Sequence, residues 1–253
     1  MKASTGVLVL MPNTLDFGAP HPVELTAVLP MAVIQRAAGL THWVGENAKT
    51  TRAFLNRVAQ VTPLSSPVQA VEIVELPKLR KGVTPTTAPD MTPLLAPLKA
   101  GHDLGLISEA GLPAVADPGA LLVQAAHTQG FQVDVLPGAS ALLLALAASG
   151  MNGQSFAFVG YLPVPAAERA ARIKALEAHS RKAAQTQILI ETPYRNEVML
   201  AALVATLAPT TRLSVSCGLT LAGGFTWSDT VAAWHRRSLA LPDRLPAVFC
   251  LLA

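Results

Sequence analysis

Short runs rich in Val, Ile and Leu alternate along this chain with helical stretches, and that alternation restricts the fold more than any other feature. Each run is long enough for a strand, and the helical stretch after it can cross back to place the next strand parallel to it. The first half predicts strands at Gly6 to Leu10, Thr41 to Val44, Val71 to Glu75, Asp103 to Ile107 and Phe131 to Leu136. Helices are expected around Val23 to Ala38, Thr50 to Ala59, Thr92 to Lys99, Gly119 to Gln129 and Ser140 to Ala148. Thr92 followed by Pro93 reads as a helix start, and Gly130 as a helix stop. After Gly150 a polar turn through Asn152, Gly153 and Gln154 opens a second series. Its strands are Phe156 to Val159, Thr186 to Glu191, Arg212 to Cys217, Gly224 to Trp227 and Ala247 to Leu252. Helices fall near Ala166 to His179, Arg195 to Leu207 and Thr230 to His235, and the late strands lie close enough together to expect antiparallel pairing. The expectation is an α/β protein of two α/β domains, residues 1–150 and 151–253.

The composition supports burial on that scale, because 51% of the 253 residues are hydrophobic and only 14% are charged. The net charge of +3 is scattered apart from Lys78, Arg80 and Lys81 and the pair Arg236 and Arg237, too little to argue for nucleic acid by itself. Cys217 and Cys250 each lie inside an apolar run, so buried reduced thiols and a cytoplasmic location are expected. The apolar stretch Val7 to Met11 is stopped by Pro12 and Asn13 and reads as a first strand rather than a signal peptide. The longest apolar tract, Ala139 to Ser149, is about half the ~20 residues a bilayer crossing needs, so no membrane contact is expected.

Several common chemistries lack their signatures. No GxGxxG follows a strand, and the phosphate loop GxxxxGK[ST], HExxH, paired CxxC and GxSxG motifs are absent. The histidines His21, His42, His102, His127, His179 and His235 show no metal-ligand spacing, so no metal site is expected.

What remains is a site built from backbone and small residues. The stretch from Ser108 to Gly119 leaves a buried strand and packs Gly111, Pro113, Pro118 and Gly119 into a loop before a helix. In open α/β sheets ligands bind beyond the carboxyl ends of strands, where this loop lies. It could equally be a structural connection, with Asp117 capping the next helix and Pro118 in its first turn. Pro137 to Ala141 repeats the theme, and the two loops are expected at adjacent strand ends. Ser140 there is a helix cap, a ligand contact or both, since a cap uses the side chain and a ligand could use the next backbone N–H. Arg80 to Pro89, with three Thr and two Pro, is a loop or a flap over the cleft.

The runs SEAGLPAVADPG (Ser108 to Gly119), PGASA (Pro137 to Ala141) and FVGYLP (Phe158 to Pro163) together resemble the tetrapyrrole methylase superfamily of S-adenosylmethionine-dependent methyltransferases. Within it they are most similar to the bacterial 16S rRNA ribose 2′-O-methyltransferase branch, with weaker likeness at ENAKTT (Glu46 to Thr51) and ETPYR (Glu191 to Arg195). The resemblance implies a cofactor cleft between two α/β domains, a homodimer, and S-adenosylmethionine as methyl donor. By matching position, Ser108, Gly111, Pro113, Ala114, Ser140 and Ala141 would contact that cofactor from one side. Thr192, Pro193, Tyr194, Leu219 and Thr220 would contact it from the other. The chain departs from the family after the first strand, where Asn13 and Thr14 stand in place of a glycine-bearing loop, and again at Leu219 to Gly224 and Leu239 to Pro246. These departures fall on substrate-facing regions.

Methyl transfer from a sulfonium needs alignment and exclusion of water more than a strong acid. For a ribose hydroxyl acceptor the proton could pass to Glu46, Glu109 or Glu191, while Lys49 and Arg195 could hold an acceptor phosphate. The leading expectation is methylation of rRNA, with the 30S ribosomal subunit as a partner. A porphyrin- or corrin-type acceptor and a non-catalytic cofactor-binding protein are the alternatives.

Overall fold

The computed structural model describes residues 5–16, 19, 21–77, 89–237, 240–242 and 245–253. The predicted loop from Arg80 lies outside them except for Pro89. The chain forms two compact units, the first of Met1–Phe17 with Val23–Ala139 and the second of Gly18–Pro22 with Ser140–Ala253.

The first unit holds strands β1 (Leu8–Met11), β2 (His42–Gly45), β3 (Glu72–Glu75), β4 (Leu104–Ile107) and β5 (Val133–Val135). They form one parallel sheet in the order β3-β2-β4-β1-β5. Successive strand residues point to opposite faces, so each strand feeds two cores. Val9, Met11, Trp43 and Ile107 pack with α1 (Met31–Gly39) and α2 (Ala48–Val61) through Val33, Ile34, Phe54 and Leu55. Leu8, Val44, Leu104 and Leu106 pack on the other face with α3 (Ala96–Lys99) and α4 (Ala120–Thr128) through Leu98, Leu122 and Ala126. Burying each such side chain contributes about 1.5–3 kcal/mol. Gly105 makes room for this packing, because a Cβ there would lie 2.6 Å from the ring of the buried Trp43.

Two sequence expectations need correction here. The single helix from Val23 to Ala38 is broken into a 3-10 turn, Leu25–Ala27, and α1, because Pro30 has no N–H to continue the ladder and instead caps α1. Nor are the loops after β4 and β5 at adjacent strand ends, since β1 lies between those strands. Smaller shifts occur at two helix starts. The α2 helix begins at Ala48 because Asn47 caps it, its side chain accepting from the Lys49 N–H at 2.8 Å. Before α3, a 3-10 turn starts at Thr92 with Met91 rather than Thr92 at its N-cap, and the Thr92 N–H donates to the Asp90 carboxylate at 2.8 Å.

The second unit carries β6 (Phe156–Gly160), β7 (Thr186–Glu191), β8 (Arg212–Cys217), β9 (Phe225–Thr230) and β10 (Ala247–Leu252), ordered β6-β7-β10-β8-β9. Only β6 and β7 pair in parallel; the remaining pairings are antiparallel, as the short late connections predict. Residues alternating along β7, β8 and β10 send Leu189, Val215, Phe249 and Leu251 against α6 (Ala166–Ala183) and α7 (Asn196–Thr206). Ile188, Val248 and Cys250 on the opposite face pack with α5 (Ala141–Ser149), so the helix that precedes the Gly150 turn packs within the second unit. A last helical turn, α8 (Val231–Trp234), follows β9.

Candidate functional site

The chain leaves β1 toward α1 on one face of the first sheet and leaves β4 toward α4 on the other, although β1 and β4 are neighbours. Connections diverging from adjacent carboxyl ends open a crevice, the usual ligand position in such sheets. The turn after β4 stands there.

Ser108 is 3% exposed, and its Oγ has no hydrogen-bond partner among the described residues. A buried hydroxyl left unpaired costs about 1–3 kcal/mol, so one held at a strand end is a group available to a ligand. Beyond it the backbone is unusual. Gly111 has φ +68°, Ala114 +66°, Ala116 +64° and Gly119 +129°. Alanine at positive φ carries strain of order 1–2 kcal/mol, and such strain gathers at ligand-binding turns. The side chains here are small where the backbone curls, and Pro113 is buried within the curl.

Asp117 does not cap α4. Gly119 takes the N-cap position with no side-chain hydrogen bond, because its φ of +129° turns the chain into the helix two residues later than an Asp117 cap would. The carboxyl instead lines a cavity of about 580 Å³ together with Glu46, Asn47, Leu76, Pro77, Met91, Glu109 and the start of α4. Burial, and then the charges of Glu46 and Glu109, push the Asp117 carboxyl up to about 7. Glu46 also accepts from the Glu109 N–H at 3.1 Å, which ties the ends of β2 and β4 together. Glu46 and Glu109 are separate candidates in the sequence, and Asp117 carries no sign of being their companion beyond an acidic side chain inside the loop after β4. Lys49, exposed in the first turn of α2, does not line this cavity. Among the described residues no group of three or more His, Cys, Asp or Glu side chains is arranged to hold a metal ion.

The remaining candidates lie in the second unit. Ser140 is the N-cap residue of α5 but makes no side-chain cap bond, and Ala141 is the first residue of that helix. Glu191 is 2% exposed at the end of β7. One of its oxygens accepts from the Thr192 N–H at 2.8 Å, and the other lies 3.0 Å from the Arg195 guanidinium. That contact is an ion pair rather than a well-directed hydrogen bond, since neither atom has a hydrogen-bond partner among the described residues. Pro193–Arg195 forms a 3-10 turn that leaves Tyr194 81% exposed. After β8, Leu219 packs against the α5 core, while Thr220 is exposed with φ +71°, a strained conformation for a β-branched residue.

Comparison with known proteins places these features in a family. A family model described as Tetrapyrrole (Corrin/Porphyrin) Methylases matches residues 32–233. A protein of Mesorhizobium japonicum named ribosomal RNA small subunit methyltransferase I is 40% identical over 127 residues, covering 50% of this chain and 42% of the relative. A Pseudomonas aeruginosa protein of the same name is 42% identical over 98 residues, covering 39% of this chain and 33% of the relative. The chain thus spans less than half the length of these curated relatives. Among solved structures, the methyltransferase CobJ superposes with a TM-score of 0.54 at 16% identity, covering 98% of this chain and 94% of its own. The uroporphyrin-III-C-methyltransferase of Thermus thermophilus superposes at 0.51 and 18% identity, covering 98% and 92%. These two similarities speak for the fold, while the family match extends over most of the sequence, including the turn after β4: the chain belongs to the tetrapyrrole methylases.

Proposed function

We propose that this protein transfers a methyl group from S-adenosylmethionine to a ribose hydroxyl of small-subunit rRNA. The observation that carries the reading is the turn after β4, which offers an unpaired buried hydroxyl and a strained small-residue backbone inside the family match. The names of the relatives at about 40% identity favour RNA over a tetrapyrrole ring as acceptor.

The residues present fit such a donor. Ser108 can give or accept one hydrogen bond, and Gly111 and Ala114 let a ligand approach the backbone closely. Pro113 stiffens the turn, and Ser140 and Ala141 belong to the same proposed set, as do Thr192, Pro193, Tyr194, Leu219 and Thr220. When bound, S-adenosylmethionine supplies a methyl group on a sulfonium, from which the acceptor oxygen displaces a neutral thioether. The protein then has to align the acceptor and take its hydroxyl proton. Asp117 is suited to the second task, because burial, with the charges of Glu46 and Glu109, brings its affinity for a proton to neutral pH. Lys49 is assigned to the phosphates of the acceptor. Glu191 and Arg195 are assigned to holding the end of β7, since each already satisfies the other's charge. A homodimer in the cytoplasm completes the reading, and sedimentation of the full chain tests the dimer.

The deciding experiment incubates the protein with methyl-labelled S-adenosylmethionine and either 30S subunits or uroporphyrinogen-type rings. Label in 16S rRNA, at a nuclease-resistant ribose linkage, is the expected result. Label in the ring alone would replace the RNA reading, and transfer to neither would leave a cofactor-binding protein. On RNA the rate should rise through about pH 7 as Asp117 loses its proton, and Asp117→Asn should remove that rise.

A further inference from the structure

The loop after β1 carries Asn13, and the first unit shows what its side chain does there. Its side-chain amide donates to the Ser108 carbonyl at 3.1 Å and to the Glu109 carbonyl at 3.2 Å. Its own N–H donates to the Gly111 carbonyl at 2.8 Å, forming an isolated antiparallel bridge between the two loops. The Asn13 side-chain oxygen accepts from the Thr14 N–H at 2.9 Å, so its amide orientation is set from both ends. One 7%-exposed side chain therefore fixes the carbonyls of Ser108 and Glu109, and its backbone fixes that of Gly111.

Asn13 is held in turn. The Thr14 hydroxyl donates to Asp16, and Arg57 of α2 donates to Thr14 at 3.2 Å, to Asp16 at 3.0 Å and to the Val23 carbonyl at 2.6 Å. Burial opposes the charge of Asp16, yet Thr14, the Val23 N–H and Arg57 together hold its carboxyl below the ordinary range. The chain of contacts runs from a helix through a partly buried ion pair into the loop, and ends on the strand-end turn.

We infer that Asn13 is a positioning residue for the methyl-donor turn, setting the backbone from Ser108 to Gly111 before the donor arrives, with Arg57 as its anchor. Glycine at this place would keep the backbone bond to Gly111 but lose the side-chain amide; asparagine adds the two bonds that hold the Ser108 and Glu109 carbonyls. Preorganisation of this kind acts on affinity by lowering the ordering cost of binding. The inference rests on the turn being the donor site.

Calorimetric titration of the full-length chain with S-adenosylmethionine tests it. Asn13→Ala should weaken binding about tenfold with a more unfavourable entropy, while the stoichiometry stays that of wild type. Arg57→Gln, acting at one remove, should weaken it about threefold. A residue important only for folding would lower the stoichiometry and leave the dissociation constant unchanged, and that result for either variant would overturn the inference. So would wild-type affinity in Asn13→Ala. If circular dichroism shows Asn13→Ala unfolded, Arg57→Gln carries the same comparison. Failure of the wild-type protein to bind at all is a different outcome and would overturn the donor-site reading itself.

Discussion

Two strands, β4 and β7, each end in a buried run with a glutamate at or just past the strand end, yet they treat their polar groups in opposite ways. After β7, the Glu191 carboxylate is closed off by the Thr192 N–H on one oxygen and Arg195 on the other. After β4, Ser108 keeps an unpaired hydroxyl and three carboxyls line one cavity, where burial and then the charges of Glu46 and Glu109 push Asp117 up to about 7. A protein tolerates an unsatisfied group only where something offsets its cost, so the first turn reads as a place kept open for a ligand and the second as a fastening. The first turn stands out in the sequence by its Gly and Pro at a strand end as well as by resemblance, the second by resemblance alone, and only the first combines strain, openness and shifted proton affinity.

If that contrast holds, the two ends should respond differently to substitution. The largest effect belongs to β7. Glu191→Ala leaves the mostly buried Arg195 guanidinium without its partner and should cost about 3–5 kcal/mol in urea unfolding, whereas Glu191→Ala combined with Arg195→Ala should recover part of that loss. Equal losses in the single and double variants would show that the pair is not the fastening.

Next comes the loop after β5. A Cβ on Gly138 would press on the ring of Pro12, 2.7 Å from its Cγ, and a proline ring cannot swing away. Gly138→Ala should therefore cost about 1–3 kcal/mol in the same assay.

The third prediction concerns pH. The Asp117 proton is held more tightly in the folded protein than in the unfolded chain, from its ordinary 3.8 up to about 7. Between those values the folded state binds more protons, so this group makes stability fall as pH rises, and the full penalty is present above about pH 7. Asp117→Asn should raise the unfolding free energy at pH 8 by about 1–2 kcal/mol, allowing for solvent screening of this partly exposed carboxyl, and by little near pH 4. A gain of the same size at both pH values would break the link to Asp117 ionisation. The smallest effect is expected at Ala116, where φ is +64°. Ala116→Gly relieves strain but loosens the unfolded chain, so a gain under about 1 kcal/mol in thermal unfolding is expected.

Much of the architecture was legible because strand and helix existence follow local apolar patterning. Thr186–Glu191, Arg212–Cys217 and Ala247–Leu252 form strands over the residues expected. What local pattern could not reveal was long-range order. The insertion of β1 between β4 and β5 depends on pairings about a hundred residues apart, which no window of sequence contains. The same limit hid part of the site. Asp117 stands before Pro118 with a helix following, a legitimate capping pattern, and only the backbone at Gly119 shows that the helix starts later. Asn13 looked like a departure from the family, since its partners Ser108 and Glu109 lie 95 and 96 positions away. The spacing of Glu191 and Arg195 was visible as charge at i and i+4, but not their burial, which turns two candidate catalytic groups into an ion pair.

The most direct test of the open turn is amide hydrogen exchange on the full-length chain, with and without S-adenosylmethionine. Slower exchange across 108–116 on adding the donor, including the Gly111 N–H, is the predicted result. Unchanged exchange throughout that turn at saturating S-adenosylmethionine would contradict the account.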